Sequence, residues 1–314
     1  MKIKTIIHLL PVVALLLFVM PSCVKEGPPG LDGGDSCLEC HNNSTLSVIN
    51  TDFAESKHVK GTSWARGASS DCSPCHSNEG FLASLAGSSA TSTNPLTCTA
   101  CHTHGTVPVF EDEDGEPVFL RTTDPVILLG GGATLDLGSA SNLCANCHQP
   151  RGVVPSPDAT TGVIAVTTRF GPHHGPQSTM LAGMGLYPFT GSKSIPTEKS
   201  HAHVSAGCTT CHMDEGSHTF GKPEFAACSD CHGTLTSFDY KGVQTSVTSL
   251  MDQIKAKLIT AGALNATGAI VAGSYSPTVA RALWNYTSVS EDKSEGVHNP
   301  DYIIAILTNT LEAL

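Results

Sequence analysis

The sequence predicts a mainly α-helical fold with extensive irregular loops, whose interior is built on something other than an ordinary apolar core. Three observations lead there. Six Cys-x-x-Cys-His units between residues 37 and 232 use twelve of the thirteen cysteines. Aromatic residues are only 5% and charged residues 14%, while the chain carries 30 glycines and 19 prolines, a poor composition for conventional packing. Apolar residues recur at helical spacing only near the C-terminus.

The six units are Cys37-Cys40-His41, Cys72-Cys75-His76, Cys98-Cys101-His102, Cys144-Cys147-His148, Cys208-Cys211-His212 and Cys228-Cys231-His232. Such pairs also serve structural zinc, redox exchange and disulfides. Six pairs, each followed by histidine, instead indicate covalent c-type haem attachment, in which two thiols bond the porphyrin edge and the adjacent histidine takes the iron. The two-residue gap lets one turn of backbone present both sulfurs to one edge. The last two units begin 20 residues apart, which brings their haems almost into contact. Six bound porphyrins would supply the missing apolar surface. The expectation is one haem-packed core, with short helices after each unit, little sheet, and folding that depends on haem.

Residues 1–22 read as a lipoprotein signal peptide. Lys2 and Lys4 precede the apolar run Ile6–Met20, and Met20-Pro-Ser-Cys23 resembles a lipoprotein cleavage box with methionine in place of the usual leucine. Cys23, the thirteenth cysteine, is the lipidation candidate, and His8 leaves with the signal. Export explains the thiol chemistry, because exposed thiols outside the cytoplasm oxidise unless something else takes them. Residues 23–35 suit a flexible tether, and Lys25-Glu26 resembles a surface-export signal. The expected location is lipid-anchored at the outer membrane, on its periplasmic or cell-surface face.

Residues 36–238 form the expected hexahaem domain. Within it, Glu111–Glu116 contains an Asp-x-Asp-Gly run that resembles the start of a calcium loop. The glutamate closing such a loop would fall near Thr123, so a solvated hairpin turn is the better reading. Residues 239–314 form a helical segment packed on the haem body. Val243, Val247, Leu250, Met251, Ile254 and Leu258 mark a helix over 242–260, and Asn299-Pro300 caps and starts a last helix with the stripe Ile303, Ile304, Leu307, Leu311 and Leu314.

Several segments together resemble a known family. Gly-Cys-Thr-Thr-Cys-His-Met with Ser-His-Thr-Phe and Cys-Ser-Asp-Cys-His, the Gly171–Gln177 segment GPHHGPQ, and Gly296-Val-His-Asn-Pro300 before an apolar helix are similar to the multihaem cytochrome c superfamily, which includes pentahaem nitrite reductases and octahaem relatives. The resemblance covers residues 170–314 and implies a multihaem cytochrome c fold. It also implies distal iron ligands at His218, at His298 and at one of His173 and His174. Those nitrite reductases build the active haem on Cys-x-x-Cys-Lys. This chain has histidine in all six units.

Histidine counting reaches distal ligands without the family. Of fifteen histidines, six belong to the units and one to the signal, leaving His58, His104, His173, His174, His201, His203, His218 and His298 for six distal positions. In each close pair, one member is expected to bind iron and the other to donate a hydrogen bond. Met180, Met184 and Met213 are alternatives that would raise the potential. Iron with histidine on both faces offers no site to substrate, so the expected function is electron transfer by six covalently attached haems c outside the cytoplasm, with redox proteins or extracellular acceptors as partners. An oxidoreductase of nitrite or hydroxylamine with one open haem is the alternative, and a homo-oligomeric cytochrome filament is a third. The net charge of −11 argues against nucleic acid as a partner.

Overall fold

The computed structural model describes residues 43–103, 110–111, 117–138, 140–196, 201 and 207–314. The signal and tether, Cys23, the unit Cys37-Cys40-His41, His104 and His203 lie outside the described residues. The chain divides into two units, residues 1–46 and 47–314. The first lies almost wholly outside the described residues, and nearly all the regular structure belongs to the second.

That regular structure is mainly helical, with few short strands. The helices are α1 (Asn43–Glu55), α2 (Ser73–His76), α3 (Asn78–Leu85), α4 (Cys98–Cys101), α5 (Ser141–Ala145), α6 (Gln177–Leu181), α7 (Cys208–His212), α8 (Ser229–His232), α9 (Val243–Thr260), α10 (Pro277–Asp292) and α11 (Pro300–Ala313). Five of them fall within the Cys-x-x-Cys-His units or overlap them. Helices were expected after each unit; α3 does follow the unit at 72–76, but the described units themselves also form helical turns. The physical reason is the spacing, since the histidine N–H reaches the carbonyl of the first cysteine four residues back: His76 to Cys72 at 3.1 Å, His102 to Cys98 at 2.8 Å and His148 to Cys144 at 2.9 Å.

Three two-stranded antiparallel ladders complete the regular structure. In β1 (Phe110–Glu111) and β2 (Pro117–Val118), Phe110 faces Val118 and Glu111 faces Pro117, so the acidic run is bracketed by a ladder. The second ladder, β3 (Val126–Ile127) with β4 (Thr134–Leu135), turns through the Gly130–Gly132 break. The third, β5 (Ile164–Val166) with β6 (Gly273–Tyr275), ties the middle of the chain to the segment entering α10.

The C-terminal half has an apolar core of its own, which the composition did not suggest. Val247, Ile254 and Leu258 of α9, Ala280 and Leu283 of α10 and Ile303, Ile306 and Leu307 of α11 are buried together, with Ile164, Val166, Met180 and Leu186 from the preceding segment. Helix α11 turns Ile306 as well as Ile303 and Leu307 inward, leaving Ile304, Leu311 and Leu314 at the margin. Asn299 does not cap α11 through its side chain; its amide donates to Leu181 O at 3.2 Å instead. Among the described residues, the N-terminal half has only small clusters, such as Phe81, Ala100, Leu120, Ala140 and Leu143. There the packing is close at one glycine: a Cβ on Gly80 would come within 2.3 Å of Ser73 O, so α3 meets α2 through bare backbone.

Helix α10 has no counterpart among the expected elements. Its inner face carries Trp284, Asn285, Ser288 and Asp292, too polar to read as a core stripe. Asn285 explains how that face is satisfied: it accepts from Tyr187 N at 2.7 Å and donates to Tyr187 O at 2.9 Å and Thr310 Oγ1 at 2.9 Å. A start signal was present in Ser276-Pro277, where the Ser276 hydroxyl accepts from Val279 N and Pro277 opens the helix. Among the described residues, no helix is long and apolar enough to cross a membrane.

Candidate haem-binding sites

Each of the five described units sets its histidine opposite a single distant one. Ring centres are 6.2 Å apart for His148 and His58, 6.2 Å for His76 and His173, 6.2 Å for His102 and His218, 6.0 Å for His232 and His201, and 6.3 Å for His212 and His298. No histidine is used twice. A metal–imidazole bond of about 2.0–2.1 Å, with the ring centre roughly 1.1 Å beyond the nitrogen, puts two imidazoles on opposite faces of one iron at about 6.2–6.4 Å. Rings packed without a metal span the same range, His173 and His174 at 4.9 Å and Phe170 and Trp284 at 6.0 Å, so the fit rests on the recurrence of one partner per described unit and not on distance alone. The donor set therefore fits five irons with two histidines each.

The structure separates His173 from its neighbour. His173 has a left-handed backbone (φ 72°) and is the member that faces His76. The His174 side chain is 76% exposed and donates from Nδ1 to Glu291 Oε2 at 2.9 Å. His201 faces His232, while its companion His203 and the third-unit neighbour His104 lie outside the described residues.

The described units approach one another through their cysteines. Cys75 and Cys147 share a hydrogen bond, and their units approach reciprocally, with Cys75 Sγ 3.9 Å from Asn146 O and Cys147 Sγ 3.8 Å from Pro74 O. Cys144 and Cys208 also share a hydrogen bond, which raises the Cys144 thiol and lowers that of Cys208, and Cys208 N donates to Ser141 Oγ at 2.7 Å. Cys101 lies close enough to perturb Cys144 and Cys147, as Cys228 does Cys211. The units at 72–76 and 98–102 thus converge on 144–148, which leads to 208–212 and on to 228–232. None of the ten described cysteines is in a disulfide. Among the described residues, no group of three or more His, Cys, Asp or Glu side chains is arranged for a bare metal ion.

Six of these imidazoles titrate away from their ordinary range, five of them downward, toward the neutral form that ligates iron. Burial, aided by the neighbouring His148, lowers His58 to about 4, and burial is also the leading cause of the downward shifts of His76, His148, His173 and His212. His298 is the exception. Burial pulls it down, but the hydrogen bond and charge of Asp292, together with Cys208, outweigh burial, and the net shift is upward. Asp292 Oδ1 accepts from His298 Nδ1 at 2.7 Å. Four other paired rings donate to neutral oxygens: His148 to Gln177 Oε1 at 3.2 Å, His201 to Val297 O at 2.5 Å, His212 to Gly221 O at 2.8 Å and His218 to Gly216 O at 2.9 Å.

Three supporting residues escaped the sequence reading. Gln177 holds His148 while its amide donates to Glu291 O and Asp292 O at 3.1 and 3.3 Å, linking α6 to the end of α10. Phe220, at a left-handed φ of 50°, sets its edge against His58 at 4.9 Å and His218 at 5.8 Å. Asp292 is the third. Finding it required recognising α10 from its Ser-Pro start.

These features define a class of fold: a mainly helical chain strung with Cys-x-x-Cys-His turns, each facing a second histidine. No family model matches the sequence, and no curated protein does. Among solved structures, the chain is similar in fold to an outer cell wall cytochrome, OcwA, at a TM-score of 0.53 and 23% identity over 83% of this chain. It spans about half of that protein, 49% of its chain.

Proposed function

We propose that the protein is a multihaem c-type cytochrome that carries electrons outside the cytoplasm through six bis-histidine haems. The observation that carries this is the one-to-one pairing of the five described unit histidines with His58, His173, His201, His218 and His298 at 6.0–6.3 Å. When bound, the haems supply one-electron chemistry. The chain's part is to fix them: cysteines anchor the porphyrin edges, paired histidines close both faces, and touching units hold successive groups close. Closed faces weigh against the nitrite or hydroxylamine reductase reading.

The likeness to an outer cell wall cytochrome and the export signal support a place at the cell surface. Cys23 is the proposed lipid anchor, and redox proteins or extracellular acceptors are the proposed partners. Protein-film voltammetry of the haem-loaded chain tests the reading. Reversible, non-catalytic waves that nitrite and hydroxylamine leave unchanged are expected, whereas a catalytic current with either substrate would favour the reductase.

A further inference from the structure

Asp292 stands where stability alone would not put a carboxylate. It is the last residue of α10, at the negative end of the helix dipole, and its side chain is 0% exposed. Burying a charge there forfeits hydration and opposes the dipole. Two donors compensate. His298 Nδ1–H donates to Oδ1 at 2.7 Å, and the Ser294 hydroxyl donates to Oδ2. Ser294 Oγ in turn accepts the His298 backbone N–H at 3.3 Å, so the three residues form a closed ring. The exposed His174, which faces no unit histidine, is bound to the other carboxylate nearby, Glu291.

We propose that Asp292 is a positioning residue that gives the His298 imidazole anionic character and makes the haem of Cys208-Cys211-His212 lower in potential than the adjoining haems of the 144–148 and 228–232 units. This rests on the bis-histidine reading above. A carboxylate that accepts the Nδ1 proton fixes the ring tautomer and strengthens donation from the opposite nitrogen, which favours the more highly charged iron. His148, His201, His212 and His218 donate instead to neutral oxygens, which polarise a ring less. The consequence is directional. The unit at 208–212 lies between 144–148 and 228–232, so the chain contains a raised step for electrons in mid-path.

The test is potentiometric titration of the full haem-loaded chain, monitored by optical and EPR spectra. Wild type is examined first: fewer than six haems, or a high-spin iron, would overturn the bis-histidine reading and this inference with it. Asp292→Asn keeps an oxygen acceptor but removes the charge. One wave is expected to move upward by about tenfold in its reduction equilibrium, ~59 mV for one electron, with the other waves in place and all irons low-spin. Unchanged waves, or a uniform shift of all of them, would overturn the assignment. Should Asp292→Asn fail to load haem, Ser294→Ala decides. Removing a competing donor strengthens the carboxylate as acceptor for His298, so the same wave moves downward; an unmoved wave overturns the proposal. A merely structural role would not give shifts of opposite sign.

Discussion

His173 and His174 are adjacent in the chain, yet only His173 faces His76, at 6.2 Å, while His174 is turned to Glu291. His173→Ala is therefore expected to turn one low-spin iron high-spin, and His174→Ala to leave every iron low-spin; EPR of the two variants checks this, and the reverse result would exchange their roles. His298→Ala should likewise open one iron and leave the rest unchanged. At this scale the Cys-x-x-Cys-His units were legible, because their spacing is written in the sequence and each described unit folds as one helical turn. The pairings were not, since each joins segments far apart in sequence, such as His58 with His148. Nor were the supports: an aspartate at position 292 reads as an ordinary polar helix end until burial shows otherwise.

At the scale of elements, α9 and α11 were visible in the periodicity because their inner faces are aliphatic, and the structure gives them nearly the expected bounds. Helix α10 was hidden by its own chemistry, with Asn285, Ser288 and Asp292 on the buried face. It nonetheless sits between the two and carries the groups that hold His148, through Gln177, and His298. The C-terminal helices thus act as a protein-only buttress for the ligand set. Leu307 is fully buried in that core, so Leu307→Ala should lower stability by about 2–5 kcal/mol in urea unfolding monitored by far-UV circular dichroism. The iron spin states should be unchanged. A cost below ~1 kcal/mol would mean that these helices add little to the fold.

For the whole molecule, the net charge of −11 bears on the proposed exchange of electrons with small partners. A small cationic oxidant should react faster than an anionic one of similar driving force at low salt, with the difference shrinking as ionic strength screens the field. Stopped-flow oxidation of the fully reduced protein measures this; an anionic oxidant that is faster at low salt would locate the exit at a local positive patch. The sequence also indicated a haem-dependent interior, and the small apolar clusters of the N-terminal half fit it, whereas the aliphatic C-terminal core does not. The whole-chain composition averaged over these two halves, which is why it concealed the second.

The central claim is that every haem is closed on both faces by histidine. Low-temperature EPR of the oxidised protein, with total haem counted by pyridine haemochrome, tests it most directly. Six haems with only low-spin ferric signals are predicted. A high-spin signal near one haem equivalent would contradict the claim and point to an open iron able to take a substrate.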